Sequence, residues 1–157
     1  MSRANPLRAA TGLAYPATVS LAALYVAFLE SEGLGPEIDD AGDVMFRCEG
    51  ANYWLMVDED DPGYFRLLFP NFWSIDSAQE HQRALLAAAE VTAEIKVAKV
   101  YVMGDDTQAA AEMFLAEPAD LHGVFVRALR ALQGAVLRFS QIMQDRRAHL
   151  RLVQENS

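Results

Sequence analysis

At 157 residues, 52% hydrophobic and 22% charged, the chain can bury one core and is too apolar to stay disordered. A formal net charge of −9 argues against nucleic acid as a partner, which calls for clustered Lys and Arg to displace counterions from phosphates. The single cysteine, Cys48, excludes an intrachain disulfide and suits a reducing cytoplasm.

Residues 1–16 read as a flexible lead, 17–147 as one α+β domain and 148–157 as a polar tail that frays. Arg3 and Arg8 ahead of an uncharged stretch superficially suggest a secretory signal, but Pro16, Thr18 and Ser20 dilute the run. It also falls short of the roughly 20 strongly apolar residues of a membrane span. The expected element is an amphipathic helix over 17–32, with Thr18 as its candidate cap and Gly33 as its end. Leu21, Leu24, Tyr25, Phe28 and Leu29 form its apolar face.

Three strands follow. Over 43–49, Val44, Phe46 and Cys48 share one face, which makes Cys48 a buried structural residue rather than a reactive thiol. Glu49-Gly50-Ala51-Asn52 reads as a hairpin connection to a strand over 53–58. The acidic turn Asp58-Glu59-Asp60-Asp61-Pro62-Gly63 leads to a strand over 64–69. Both faces of the second and third strands carry bulky apolar residues, so this part of the sheet is expected to be covered on both sides.

Phe69-Pro70-Asn71-Phe72-Trp73-Ser74-Ile75 is an apolar connection where a polar one is the rule. Ser77-Ala78-Gln79-Glu80 reads as a capping box opening a helix that reaches Lys96. Leu85, Leu86, Ala89, Val91 and Ile95 are the apolar positions expected on that helix. Strands over 97–103 and 107–115 turn about Gly104-Asp105-Asp106, and Ala109, Ala110 and Ala111 leave room for close approach by a helix or another subunit. Pro118 starts a long helix to about Arg147. Its a/d stripe is Leu121, Phe125, Ala128, Leu132, Ala135, Phe139 and Ile142. Val124, Leu129, Val136 and Met143 broaden the stripe, which favours docking on the sheet over a helix-helix seam.

The order α-β-β-β-α-β-β-α therefore predicts an α+β fold, an antiparallel five-stranded sheet with helices segregated to one side. No constellation of catalytic, metal-ligating or cofactor-binding residues stands out, and no enzyme, cofactor or metal is expected. His81, His122 and His149 are not paired at a ligand spacing. Asp58–Asp61 reads as a solvated turn rather than a cation loop. The aromatic residues Tyr53, Trp54, Tyr64, Phe65, Phe69, Phe72 and Trp73 pack a core or anchor a partner. Phe69, Phe72, Trp73 and Trp54 are the candidate partner-binding residues.

Three segments carry a family resemblance: Tyr53-Trp54-Leu55-Met56-Val57-Asp58, then Phe65-Arg66-Leu67-Leu68-Phe69-Pro70-Asn71-Phe72-Trp73-Ser74-Ile75, then Ala89-Glu90-Val91-Thr92-Ala93-Glu94-Ile95-Lys96-Val97-Ala98-Lys99-Val100. On these the chain resembles the YbjN-type family of bacterial sensory-transduction regulators, which is related in fold to type III secretion chaperones. The resemblance implies a small, acidic, homodimeric, non-enzymatic interaction domain in the cytoplasm, regulatory or chaperone-like, that takes up a protein partner or client. A dedicated secretion chaperone for one effector, or a small-molecule or enzymatic domain using the aromatic corner as a pocket, are the alternatives. Nucleic acid and membrane are not among the expected partners.

Overall fold

The computed structural model describes residues 19–155, except the side chains of 147–150, 152–153 and 155. The 1–16 lead and the candidate cap Thr18 lie outside the described residues. Helix α1 is Leu21–Ser31, and its cap is Ser20, whose Oγ accepts from Ala23 N at 3.1 Å. Leu21 N donates to Glu59 Oε1 at 3.0 Å, so a carboxylate from the acidic turn sits at the positive end of the helix. After the helix, Gly33 takes φ 74° and Leu34 N returns to Leu29 O. Leu21, Tyr25, Phe28 and Leu29 are buried, as the spacing predicts, and Leu24 is half-buried.

The strands are β1 Glu37–Ile38, β2 Val44–Cys48, β3 Ala51–Leu55, β4 Tyr64–Ser74, β5 Ala98–Met103 and β6 Asp106–Phe114. They form one antiparallel sheet in the order β1-β2-β3-β4-β6-β5. The sheet thus has six strands rather than five, because two-residue β1 is too short to show an alternation. The β2–β3 hairpin turns on Glu49 and Gly50, at φ 51° and 84°, the two positive angles of a type I′ turn. The β5–β6 hairpin turns on Gly104-Asp105, with only Gly104 positive at φ 59°.

Helix α2 is Ala78–Glu94, capped by Ser77, whose Oγ accepts from Glu80 N at 3.1 Å. Its buried stripe is Ala84, Ala87, Ala88 and Val91 together with Glu80. Leu85 and Leu86, expected on the inner face, are exposed; Leu86 is 63% accessible. Alanines at spacings of three and four let the helix lie close to the sheet, and that geometry rotates the leucines outward. A 3-10 turn at Pro118–Asp120 leads into α3, Leu121–Glu155. With no Gly or Pro after Gly134, nothing in the backbone stops α3 at Arg147, and it runs on through residues expected to fray.

All seven residues of the a/d stripe of α3 are buried within one chain, against β4, β5 and β6. The core joins the helices to one face of the sheet, formed by Val44, Phe46, Tyr53, Leu55, Phe65, Leu67, Ala98, Val100, Ala109 and Ala111. Among the described residues the three α-helices all contribute to this core and so pack on one face of the sheet. The opposite face carries no helix among the described residues, yet Leu68 and Ala110 on it are buried, at 9% and 0% exposure.

Candidate interaction surface

The apolar connection is not a loop. Strand β4 runs straight through it to Ser74, paired with β6. Register is regular as far as Pro70 opposite Gln108 and resumes at Ser74 opposite Asp106. Three residues of β4, Asn71, Phe72 and Trp73, therefore face Thr107 alone, and Asn71 adopts φ 53°. This bulge breaks the strict alternation of a strand, so consecutive Phe72 and Trp73 both meet Phe139 of α3. Their ring centroids lie 5.3 and 5.9 Å from it, edge-on. Phe69, still in register, packs on Tyr53 at 4.9 Å and Phe72 at 5.8 Å.

The polar groups displaced by the bulge find partners inside the fold. Thr107 is fully buried, and its hydroxyl donates to Trp73 O at 2.9 Å. Glu80 is 3% exposed, and its carboxylate accepts from Trp73 Nε1 at 3.3 Å and from Asp76 N at 3.1 Å. The predicted capping residue thus also holds the indole, a role the spacing alone did not suggest. The corner is half-buried core packing, locked to the start of α2.

Trp54 lies elsewhere, on the opposite face of the sheet. Cross-strand register places Glu37, Met45, Trp54, Leu68, Ala110 and Lys99 in one row that crosses every strand. The row has an apolar centre, an anionic end and a cationic end. Trp54 Nε1 donates to Asp39 Oδ2 at 3.1 Å, while Asp39 Oδ1 accepts from Ala41 N and Asp43 N. The indole is therefore held by a loop that is itself tied down. Of the four candidate partner-binding residues, the fold brings Phe69, Phe72 and Trp73 together and separates Trp54 from them.

Beside this row, Arg66 and Lys99 both pair with Glu112, at 3.0 and 2.7 Å. Arg66 Nη2 also donates to Tyr101 Oη at 2.9 Å, and that hydroxyl donates to Gln108 Oε1 at 3.0 Å. At the rim Phe114 rests against Tyr64 at 5.8 Å and is 81% exposed. No family model matches the chain, and no curated protein matches it.

The edges of the sheet are guarded. Strand β1 offers two residues, too few to template a long partner strand. On β5, Thr92 Oγ1 of α2 accepts from Val100 N at 2.9 Å and donates to Val100 O at 3.1 Å. One hydroxyl thereby occupies both outward backbone groups that an added strand would use. Strand addition is obstructed at Val100. Thr92 carries no motif; only contact between α2 and the edge strand reveals it.

The remaining chemistry is structural. In the acidic turn, Asp58 Oδ1 accepts from Asp60 N and Asp61 N, and Glu59 serves α1. Cys48 is half-buried, and burial, then the neighbouring Glu49, raises its thiol above its ordinary range. Among the described residues no group of three or more His, Cys, Asp or Glu could hold a metal ion. No helix among them is long and apolar enough to cross a membrane.

Proposed function

We propose that this chain is a non-enzymatic protein-interaction domain of the YbjN type, regulatory or chaperone-like, that acts in the cytoplasm as a homodimer. The observation that carries the reading is the sheet face opposite the helix-packed core, where half-buried Met45 and Trp54 and buried Leu68 form an apolar centre. A large aromatic at the middle of a patch, held by a hydrogen bond and ringed by polar groups, has the anatomy of an interface hot spot.

The row favours a second copy as the occupant of this face. A two-fold axis along the strands reverses it, laying the Glu37 end of one protomer over the Lys99 end of the other. Apolar centres then meet, and opposite charges meet at both ends. In this reading the outward leucines of α2 and the rim around Phe114 remain for a partner or client. Phe72 and Trp73 shape the domain from within rather than touching the partner.

Mass in solution, measured for the wild type, Trp54→Ala and Trp73→Ala, tests the proposal. The wild type is expected to have dimer mass, and Trp54→Ala to become a folded monomer. Trp73→Ala is expected to lose stability and remain dimeric when folded. A wild type that is monomeric and retains no protein partner overturns the reading.

A further inference from the structure

A cavity of about 230 Å³ lies on the helix side, away from the open sheet face. Its floor is apolar: Val124, Ala128 and Ala131 of α3 meet Met113 of β6. It exists because α3 presents alanines where larger residues would fill the gap above the end of β6. Its charged lining residues are Lys96 and Arg127, both cations in a chain of net charge −9. Neither forms an ion pair among the described residues, whereas Arg66, Arg130, Arg138 and Arg146 all do.

The wall between these features is strained. Val97 adopts φ 71° while Ala98 N donates to Lys96 O at 2.8 Å, which places this valine at the centre of a γ-turn. A β-branched residue rarely enters the left-handed region, and such strain collects at ligand-binding sites. Here the turn puts Lys96 beside the cavity and leaves Val97 about half exposed on its wall.

We propose that this cavity binds a small amphiphilic carboxylate, with its short apolar body on the alanine floor and its anionic group between Lys96 and Arg127. The volume lies below the roughly 300–1,000 Å³ of drug-sized sites, which selects a slim single-chain ligand. Two cations without ion pairs, and no carboxylate among the described lining residues, select an anion, and the planar fork of Arg127 suits a carboxylate. The site is independent of the proposed dimer face.

Titration of the full chain with octanoate, octanol and octylammonium, followed by amide chemical shifts, tests the proposal. Saturable shifts at Val97, Met113 and Ala131 are expected with octanoate, and binding about tenfold weaker with octylammonium. Arg127→Gln, a change at an exposed position, should weaken octanoate about tenfold. Ala131→Leu should fill the space and abolish binding, with the folded spectrum of each variant as the control. No saturable octanoate binding at millimolar concentration overturns the proposal. So does equal binding of octylammonium, or octanoate binding untouched by both substitutions in folded protein.

Discussion

Trp73 Nε1 donates to Glu80 Oε1 at 3.3 Å, across the turn that joins β4 to α2. A bulged strand and a helix N-terminus are held by one buried carboxylate, which also accepts from Asp76 N. Glu80→Ala removes that acceptor from the indole and from the backbone amide. The expected cost is about 2–3 kcal/mol, with Glu80→Gln losing less because it keeps an oxygen. Urea unfolding read by the fluorescence of Trp73 in a Trp54→Phe background measures it. A loss no larger than that of an exposed Glu→Ala control would sink this account.

Phe139 is the surface on which Phe72 and Trp73 converge. Truncation to Ala leaves a cavity beneath both rings and is expected to cost about 3–5 kcal/mol. The emission of Trp73 should shift in the folded variant, while that of Trp54, on the other face, should not. Comparing Phe139→Ala in Trp54→Phe and Trp73→Phe backgrounds separates the two signals.

Thr92 blocks the β5 edge at Val100. Thr92→Val keeps the shape and removes the hydroxyl, so the expected loss is about 1–2 kcal/mol. Hydrogen exchange at Val100 N–H should accelerate more than at its neighbours. Association at high protein concentration should also rise as the edge opens. Unchanged protection at Val100 would show that the hydroxyl does not guard it.

Glu94 carries a pH dependence. Its hydrogen bond from Arg138 holds the Glu94 carboxyl below its ordinary range. A carboxylate depressed in the folded state adds stability above its ordinary pKa, and that contribution fades as pH falls through the folded-state value. Arg138→Gln should therefore destabilise at pH 7 and differ less from wild type below about pH 4. Both groups are at the surface, so 1 M salt should shrink the neutral-pH difference as well. Urea midpoints across pH and salt give the comparison.

Cys48 is expected to react slowly with a disulfide reagent at neutral pH, since burial and Glu49 favour the uncharged thiol. The rate should climb with pH above 9 and jump on unfolding. Equal rates for folded and unfolded protein at pH 7 would contradict the assignment.

Much of the architecture is legible in the sequence. The heptad-like stripe of α3, the Ser77–Glu80 cap and the Glu49-Gly50 turn all depend on residues within a few positions of one another. Alanine alone favours helix, and pairing with both β4 and β5 is what makes Ala109–Ala111 strand. On α2 hydrophobicity favours leucines for the inner face, whereas close packing selects the alanines. Trp54 is legible in the sequence only as a large aromatic on a strand. The Met45 and Leu68 that flank it belong to separate strands, and nothing local links them.

The aromatic corner shows the division most clearly. By itself the sequence determined that Phe69, Phe72 and Trp73 follow a strand and precede a capped helix, because turn, cap and alternation are local properties. Only the tertiary structure decided that the strand continues, bulges at Asn71 and turns both rings onto Phe139, 66 residues beyond Trp73. It also decided that, among the described residues, the helices pack on one face, leaving Trp54 rather than Trp73 on the other. The physical reason is that a side chain's face is set by pairing register and by what packs opposite. Both are contacts between segments far apart in the chain.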